Sequence, residues 1–341
     1  MKTRLNLRQN LTPRAHGVTP DPCAGRRSAR LGCGLGRRTF AIRRPLASAI
    51  AGALLVATVA CADPGRSSNA PHAGGDEVRS EEVTFTSHAT KLAGTLVRPG
   101  SAEVSAAVVF VHGSGPQERN RALAEAFATR GIAALVYDKR GVGESDGEYE
   151  AKQSVSGPNI SLLADDAVAA LQELSRRVRA QGIPVGLAGI SQAGWIVPLA
   201  AERSSLAEFL VIWSGPVCKV SEEDIYSKYT SDRDTDEVPS YEEALGSRQE
   251  PYIWPDFLGT DTDPAQSLGE LSLPGLWIFG AEDGSVPVDL SIQRLDALRK
   301  QGLPYEYVLF SDLGHNNMGE TFSTAISWIK RQDLNRSAGT E

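Results

Sequence analysis

The sequence predicts an α/β fold, a parallel sheet covered on both faces by helices. Two observations carry this. From Ala106 onward, short apolar runs alternate with longer segments of helical character, the pattern of strands whose crossover helices bury both faces of a sheet. In addition, Gly189-Ile190-Ser191-Gln192-Ala193-Gly194 sits between an apolar run, Ile183–Ala188, and a helical stretch, Trp195–Arg203. That context describes a serine raised on a sharp strand-to-helix turn.

The elements follow in order. Glu81–Thr86 and Lys91–Arg98 read as an antiparallel hairpin. Strands are expected at Ala106–Val111, Ile132–Tyr137, Val185–Ala188, Phe209–Trp213, Leu276–Phe279 and Tyr305–Phe310. Helices are expected at Ala122–Arg130 (closed by Gly131), Leu162–Ala180, Trp195–Arg203, Asp289–Lys300 and Thr321–Lys330. Val217–Ser272 breaks the rhythm as an acidic insertion. It holds six of the chain's 22 aromatic residues: Tyr226, Tyr229, Tyr241, Tyr252, Trp254 and Phe257. Two readings stand for these rings: a cap lining an apolar pocket, or packing of the insertion onto the body. No internal repeat is visible.

Charge is unevenly spread. Residues 1–60 carry eleven Lys/Arg against Asp21 alone, a net of +10 in a chain of −7, which leaves −17 on residues 61–341. Such an acidic body is a poor partner for nucleic acid. Arg37-Arg38 and Arg43-Arg44 precede Leu46–Ala62, seventeen residues without a charge, the layout of an export signal. The run is at the short end for a membrane span, so a permanent transmembrane helix ranks second. Ala60-x-Ala62 suits a general signal peptidase. Thr58-Val59-Ala60-Cys61 resembles a bacterial lipobox, although Thr58 stands where Leu is usual. The lipobox reading ranks first and predicts membrane attachment through a lipidated Cys61. Arg37-Arg38-Thr39-Phe40 resembles a twin-arginine signal, and the stretch before it is long for a leader, which raises the alternative of a later start codon.

The expected organisation is an N-terminal extension and signal (1–62), a Gly/Ser/Pro-rich linker (63–80), a catalytic domain (81–334) carrying the insertion (217–272), and a short tail (335–341). Of the cysteines Cys23, Cys33, Cys61 and Cys218, only Cys218 lies in the body, so no disulfide forms within it. No spacing suggests a metal site, and no cofactor is expected.

These residues resemble the α/β-hydrolase superfamily over roughly Glu81 to Lys330. The resemblance implies an eight-stranded, mostly parallel sheet and a Ser–acid–His triad in that chain order. Ser191 matches the nucleophile, with alanine at 193 where the motif usually has glycine. Gly189 and Ala193, two before and two after, let strand and helix approach closely. Asp283 matches the acid, in Gly280-Ala281-Glu282-Asp283-Gly284-Ser285-Val286-Pro287, with Glu282 and Asp312 as nearby rivals. His315 matches the base. Of the five histidines, His16 and His72 lie in the signal and tether, His88 in the hairpin turn and His112 in a loop of other purpose. His112-Gly113-Ser114-Gly115 resembles the oxyanion loop, which implies donors from the N–H groups of Ser114 and Gln192. Losing one such donor costs about 3–4 kcal/mol of barrier. His112 itself reads as structural. Tyr137-Asp138-Lys139-Arg140-Gly141-Val142-Gly143-Glu144-Ser145 resembles another family signature, with Asp138 and Arg140 as structural supports.

The resemblance implies an exported, esterase-like serine hydrolase acting on a small acyl substrate. A peptidase or aminopeptidase of the same fold is the alternative, with Glu222, Glu223 and Asp224 as the acids that would hold a substrate amino terminus. A non-catalytic binding protein is the third reading, which the complete triad disfavours. The oligomeric state is not readable from sequence.

Overall fold

A computed structural model describes residues 78–100, 103–178 and 181–338. The expectations for the export signal, the lipidated Cys61 and the linker as far as residue 77 lie outside the described residues.

The sheet has eight strands. In chain order they are β1 (Val78–Ser87), β2 (Thr90–Pro99), β3 (Ala106–Val111), β4 (Ile132–Tyr137), β5 (Val185–Ile190), β6 (Phe209–Trp213), β7 (Gly275–Gly280) and β8 (Tyr305–Phe310). Their spatial order is β1-β2-β4-β3-β5-β6-β7-β8. β1 and β2 pair antiparallel, as do β2 and β4; every later pair is parallel. Val78–Ser80, read as the end of the linker, are the first rungs of β1, where Val78 lies opposite Pro99.

Strands β3, β4, β6 and β7 are buried along their whole length, which is why they read as unbroken apolar runs rather than alternating ones. The period of two survives in where each side chain goes. Ala107, Val109 and Val111 join one core layer, and Ala106, Val108 and Phe110 join the other. Two helices, α1 (Arg121–Ala128) and α8 (Met318–Ala338), cover the second layer. The first layer is covered by α2 (Gly157–Val178), α3 (Ala193–Glu202), α6 (Pro264–Glu270) and α7 (Val288–Lys300). The long helix α2 starts five residues before its sequence expectation. Gly157-Pro158 opens it, and proline is tolerated in a first turn because its missing N–H would have had no partner there.

The insertion folds as α4 (Val220–Thr230), α5 (Tyr241–Gly246), a 3-10 turn (Asp256–Leu258) and α6. Its aromatic residues do not act together. Tyr226 and Tyr241 are buried, Tyr229 and Phe257 are exposed, and Trp254 packs against the main core. Packing therefore accounts for part of the set, and a common aromatic pocket is not formed by all six. Among the described residues, no helix is long and apolar enough to cross a membrane.

Candidate active site

The predicted site residues all lie at the carboxyl ends of parallel strands. Open α/β sheets place their ligands at this end. β3 and β5 are neighbours, with Val111 opposite Gly189, so the loops that leave them emerge side by side. One begins with His112 and the other holds Ser191. A Cβ added to Gly113 would lie 3.3 Å from the Ile190 carbonyl oxygen and 3.4 Å from Ser191 Cβ. The glycine loop thus rests against the serine.

Ser191 has φ 55°, the left-handed region that L-residues avoid. Its N–H donates to the Trp213 carbonyl at 2.9 Å, tying the turn to β6, and α3 starts two residues later. The expected close approach is present. A Cβ on Gly189 would fall 2.4 Å from Ala193 Cβ. One of these two positions must lack a Cβ, and glycine at 189 leaves room for alanine at 193.

His315 Nε2 lies 3.0 Å from Ser191 Oγ, and His315 Nδ1 lies 2.9 and 3.0 Å from the Asp283 carboxylate oxygens. Asp283 is fully buried, and its Oδ1 also accepts the Ser285 and Val286 N–H groups at 2.8 and 2.9 Å. The sequence rivals fall away: Asp312 is exposed, and it is Asp283, not Glu282, that meets the imidazole. Burial alone would lower the His315 pKa. The hydrogen bond and charge of Asp283, with Asp234 and Asp232 behind it, outweigh burial and hold the imidazole above its ordinary value. This imidazole can take a proton from the Ser191 hydroxyl while the carboxylate stabilises the resulting cation.

The N–H groups of Ser114 and Gln192 donate to no protein acceptor among the described residues. Gln192 immediately precedes α3, where the helix dipole favours negative charge. His112 is buried edge-on to Tyr137, with ring centroids 4.7 Å apart. Burial and the nearby Lys139 push its pKa down to about 4, so it is neutral, consistent with a structural part. Asp138 and Arg140 also act as supports. Asp138 takes Arg119 through both carboxylate oxygens and accepts the Glu144 N–H at 2.8 Å. Arg140 grips Asp166 of α2.

Three further residues shape the site. Lys139 stands between two assigned supports; its ammonium is buried beneath the glycine loop, donating to the Gly113 carbonyl at 2.7 Å. Asn317 donates to Ser214 Oγ at 2.9 Å and to the Gly314 carbonyl at 3.0 Å, bracing the histidine loop. Asp234, from the insertion, accepts the Gly284 N–H at 3.0 Å and the His315 N–H at 2.9 Å. A signal for Lys139 existed in its signature motif. For Asp234 there was none, because its partners lie 50 and 81 residues away.

Among the described residues, no group of three His, Cys, Asp or Glu could hold a metal ion. Cys218 is free and buried.

No curated protein sequence matches the chain. The hydrolase family described as "Serine aminopeptidase, S33" matches residues 102–232. That segment includes Ser191 and the glycine loop but stops short of Asp283 and His315. An esterase of Pyrococcus furiosus, Pf2001, is similar in structure, with 18% identity and a TM-score of 0.53, covering 76% of this chain and 92% of that one. The chain has the α/β-hydrolase fold. An acetyl xylan esterase from Paenibacillus sp. R4 has this fold at 19% identity and TM-score 0.54, over 74% of this chain and 84% of its own. A proline iminopeptidase of Mycobacterium smegmatis has it at 17% identity and TM-score 0.54, over 75% and 100%. The α/β-hydrolase fold thus hosts both ester and peptide chemistry among these neighbours, and substrate choice rests on the site itself.

Proposed function

We propose that this protein is a serine hydrolase that cleaves carboxylic esters through an acyl-enzyme on Ser191. The observation that carries the reading is the hydrogen-bonded chain from Ser191 through His315 to the buried Asp283. Ser191 Oγ attacks the ester carbonyl as His315 takes its proton. The N–H groups of Ser114 and Gln192 receive the oxyanion. His315 then protonates the leaving alcohol, and water activated by the same imidazole releases the acid.

Ester is favoured over peptide because two of the three acids proposed for an amino-terminal subsite are already held. Glu222 accepts the Lys219 N–H at 2.7 Å and pairs with Arg294 at 2.6 Å. Asp224 accepts from Lys228 and from the Tyr252 hydroxyl, both at 2.6 Å. The peptidase reading survives on Glu223. Its carboxylate has no hydrogen-bond or ion-pair partner among the described residues, and burial with the charges of Asp232, Asp224 and Asp283 pushes its pKa up to about 8. A substrate ammonium would relieve that repulsion.

The test is labelling with a fluorophosphonate, followed by turnover of p-nitrophenyl esters beside aminoacyl anilides. Label is expected at Ser191, absent in Ser191→Ala and strongly reduced in His315→Ala. Full labelling and turnover in His315→Ala would sink the triad. Anilide cleavage without ester turnover would reverse the ranking of substrates.

Export and lipidation at Cys61 belong to the same proposal, supported by the basic stretch and uncharged run before that residue. A lipid adduct on Cys61 in the intact mass of the mature protein is expected; a free N-terminus at Asp63 contradicts it.

A further inference from the structure

Lys139 is 3% exposed, and among the described residues no carboxylate pairs with its ammonium. A buried ammonium is costly unless its donors are satisfied. Here three acceptors converge on it: the Gly113 carbonyl at 2.7 Å, the Gly115 carbonyl at 3.1 Å and Gln192 Oε1 at 3.0 Å. Gln192 is itself anchored, its Nε2 donating to the Ser154 carbonyl at 2.8 Å. The carbonyl between the two glycines, that of Ser114, is taken by Gln117 Nε2 at 2.7 Å. The backbone N–H of Lys139 donates to the Gln117 carbonyl at 3.0 Å. Every carbonyl from Gly113 to Gly115 is thus drawn to a side-chain donor.

In a planar trans peptide the C=O and the following N–H point in opposite directions. Holding the Gly113 oxygen on Lys139 therefore turns the Ser114 N–H away from Lys139. A flip of that peptide would replace a donor at the site with a carbonyl oxygen, and it would strip the ammonium of its shortest hydrogen bond. The same side chain fixes Gln192, whose backbone N–H is the second proposed donor. One cation thereby joins the two halves of the hole, one on the β3 loop and one at the start of α3.

We propose that Lys139 is a positioning residue that presets the oxyanion hole by orienting the Gly113–Ser114 peptide and Gln192. This rests on the serine-hydrolase reading above and adds the device that readies its site. Glycines at 113 and 115 make the device necessary. Gly115 has φ +87° and nothing within 4 Å of where a Cβ would stand, so packing against Ile190 and Ser191 holds the loop at Gly113 but not at Gly115. Lysine suits the task because its three rotatable N–H donors can meet three acceptors in a tripod; the planar fork of arginine cannot.

The experiment compares the native chain with Lys139→Met and Lys139→Arg. The readouts are the rate of fluorophosphonate labelling at Ser191, ester kcat and KM, and affinity for an alkyl boronic acid that forms a tetrahedral adduct on the serine. Loss of one preset donor lowers kcat by about 100-fold or more. Lys139→Met is therefore expected to lose that factor in kcat, with KM within about threefold, and to lose boronate affinity and labelling rate in parallel. Lys139→Arg is expected to fall between the two. A merely structural lysine would instead lower the melting temperature and leave the kcat of the folded fraction intact.

Folded Lys139→Met that labels and turns over at the native rate overturns the inference alone. A rise in KM with kcat unchanged does the same. Native protein that fails to label at Ser191 overturns the serine-hydrolase reading and this inference with it. If Lys139→Met does not fold, Lys139→Arg decides: native kcat and boronate affinity there overturn the proposal, and a kcat loss matched by a loss of boronate affinity supports it.

Discussion

Ser191 holds a left-handed backbone at φ 55° without the freedom of glycine, a strain of about 1–3 kcal/mol. The surrounding residues over-determine it: the N–H on Trp213, the bare Cα of Gly189 and the start of α3. The spelling Gly-x-Ser was legible in the sequence. So was the exchange at 193, once size rather than identity was weighed, since the 2.4 Å approach of Gly189 to Ala193 requires only that one of the two lack a Cβ. His315 yields the prediction at this scale. Its pKa is held above the ordinary imidazole value of about 6.5. In the proposed reaction this imidazole must be neutral to act as the base, so kcat/KM should rise with pH through a midpoint above that value. Asp283→Asn removes the main group that raises the pKa. Its residual activity should be far lower and its acid limb displaced to lower pH. An unmoved limb in a pH–rate profile would show that another group titrates.

Elements marked by an apolar run or a clear period are legible in the sequence. Strands β4, β6 and β8 match their expected bounds residue for residue. The insertion has no such pattern, and its helices are not legible in the sequence. α5 is six residues and α6 seven, too short for a recurring apolar face to emerge. What the sequence concealed was that this insertion braces the acid loop. The Tyr226 hydroxyl donates to the Asp283 carbonyl at 3.1 Å, Thr230 donates to the Gly284 carbonyl, and the Thr235 N–H donates to the Glu282 carbonyl at 3.1 Å. Asp234 then joins that loop to the histidine loop. The approach is close enough that a Cβ on Gly284 would meet the Arg233 oxygen at 1.9 Å, and one on Gly314 would meet Asp234 Oδ2 at 2.1 Å. Two consecutive left-handed residues, Ser231 and Asp232, turn the chain into this position. Asp234 thus offers two separable effects, an acceptor for two N–H groups and a charge beside His315. Asp234→Asn keeps one carbonyl acceptor and removes the charge. Its kcat should stay within about tenfold of native, since a neutral hydrogen bond contributes about 0.5–1.5 kcal/mol, while the acid limb moves down. Asp234→Ala should lose more rate than Asp234→Asn with the same displacement of the limb. Identical kcat and limb in all three proteins would remove Asp234 from the site.

Across the whole molecule, the sheet was legible and its polar supports were only partly so. Apolar runs report burial, and burial on both faces implies crossover helices. A buried charge pair leaves no such trace, because each member looks like any other charged residue until its partner is known. Asp138 and Arg140 stood out only through their motif, while Asp166 sat unnoticed in α2. Arg140 is 7% exposed and Asp166 is 0% exposed. Their bidentate contact, with Thr90 accepting from Arg140 at 2.5 Å, unites the β1–β2 hairpin, the loop after β4 and α2. Removing one member of such a pair strands an unpaired charge and costs about 3–5 kcal/mol, whereas replacing both by well-packed apolar groups is often neutral. Asp166→Ala should therefore lower the urea midpoint strongly, and Arg140→Met with Asp166→Leu should recover most of the loss. The double variant should also keep the turnover proposed for Ser191 if the pair serves only to hold the three elements together. Lys139 adjoins Arg140 in the same loop, so ester turnover reads out whether that loop has moved. A double variant that is stable but slow, with boronate affinity reduced to the same degree as kcat, would show that the pair sets the position of Lys139 as well as the stability of the fold.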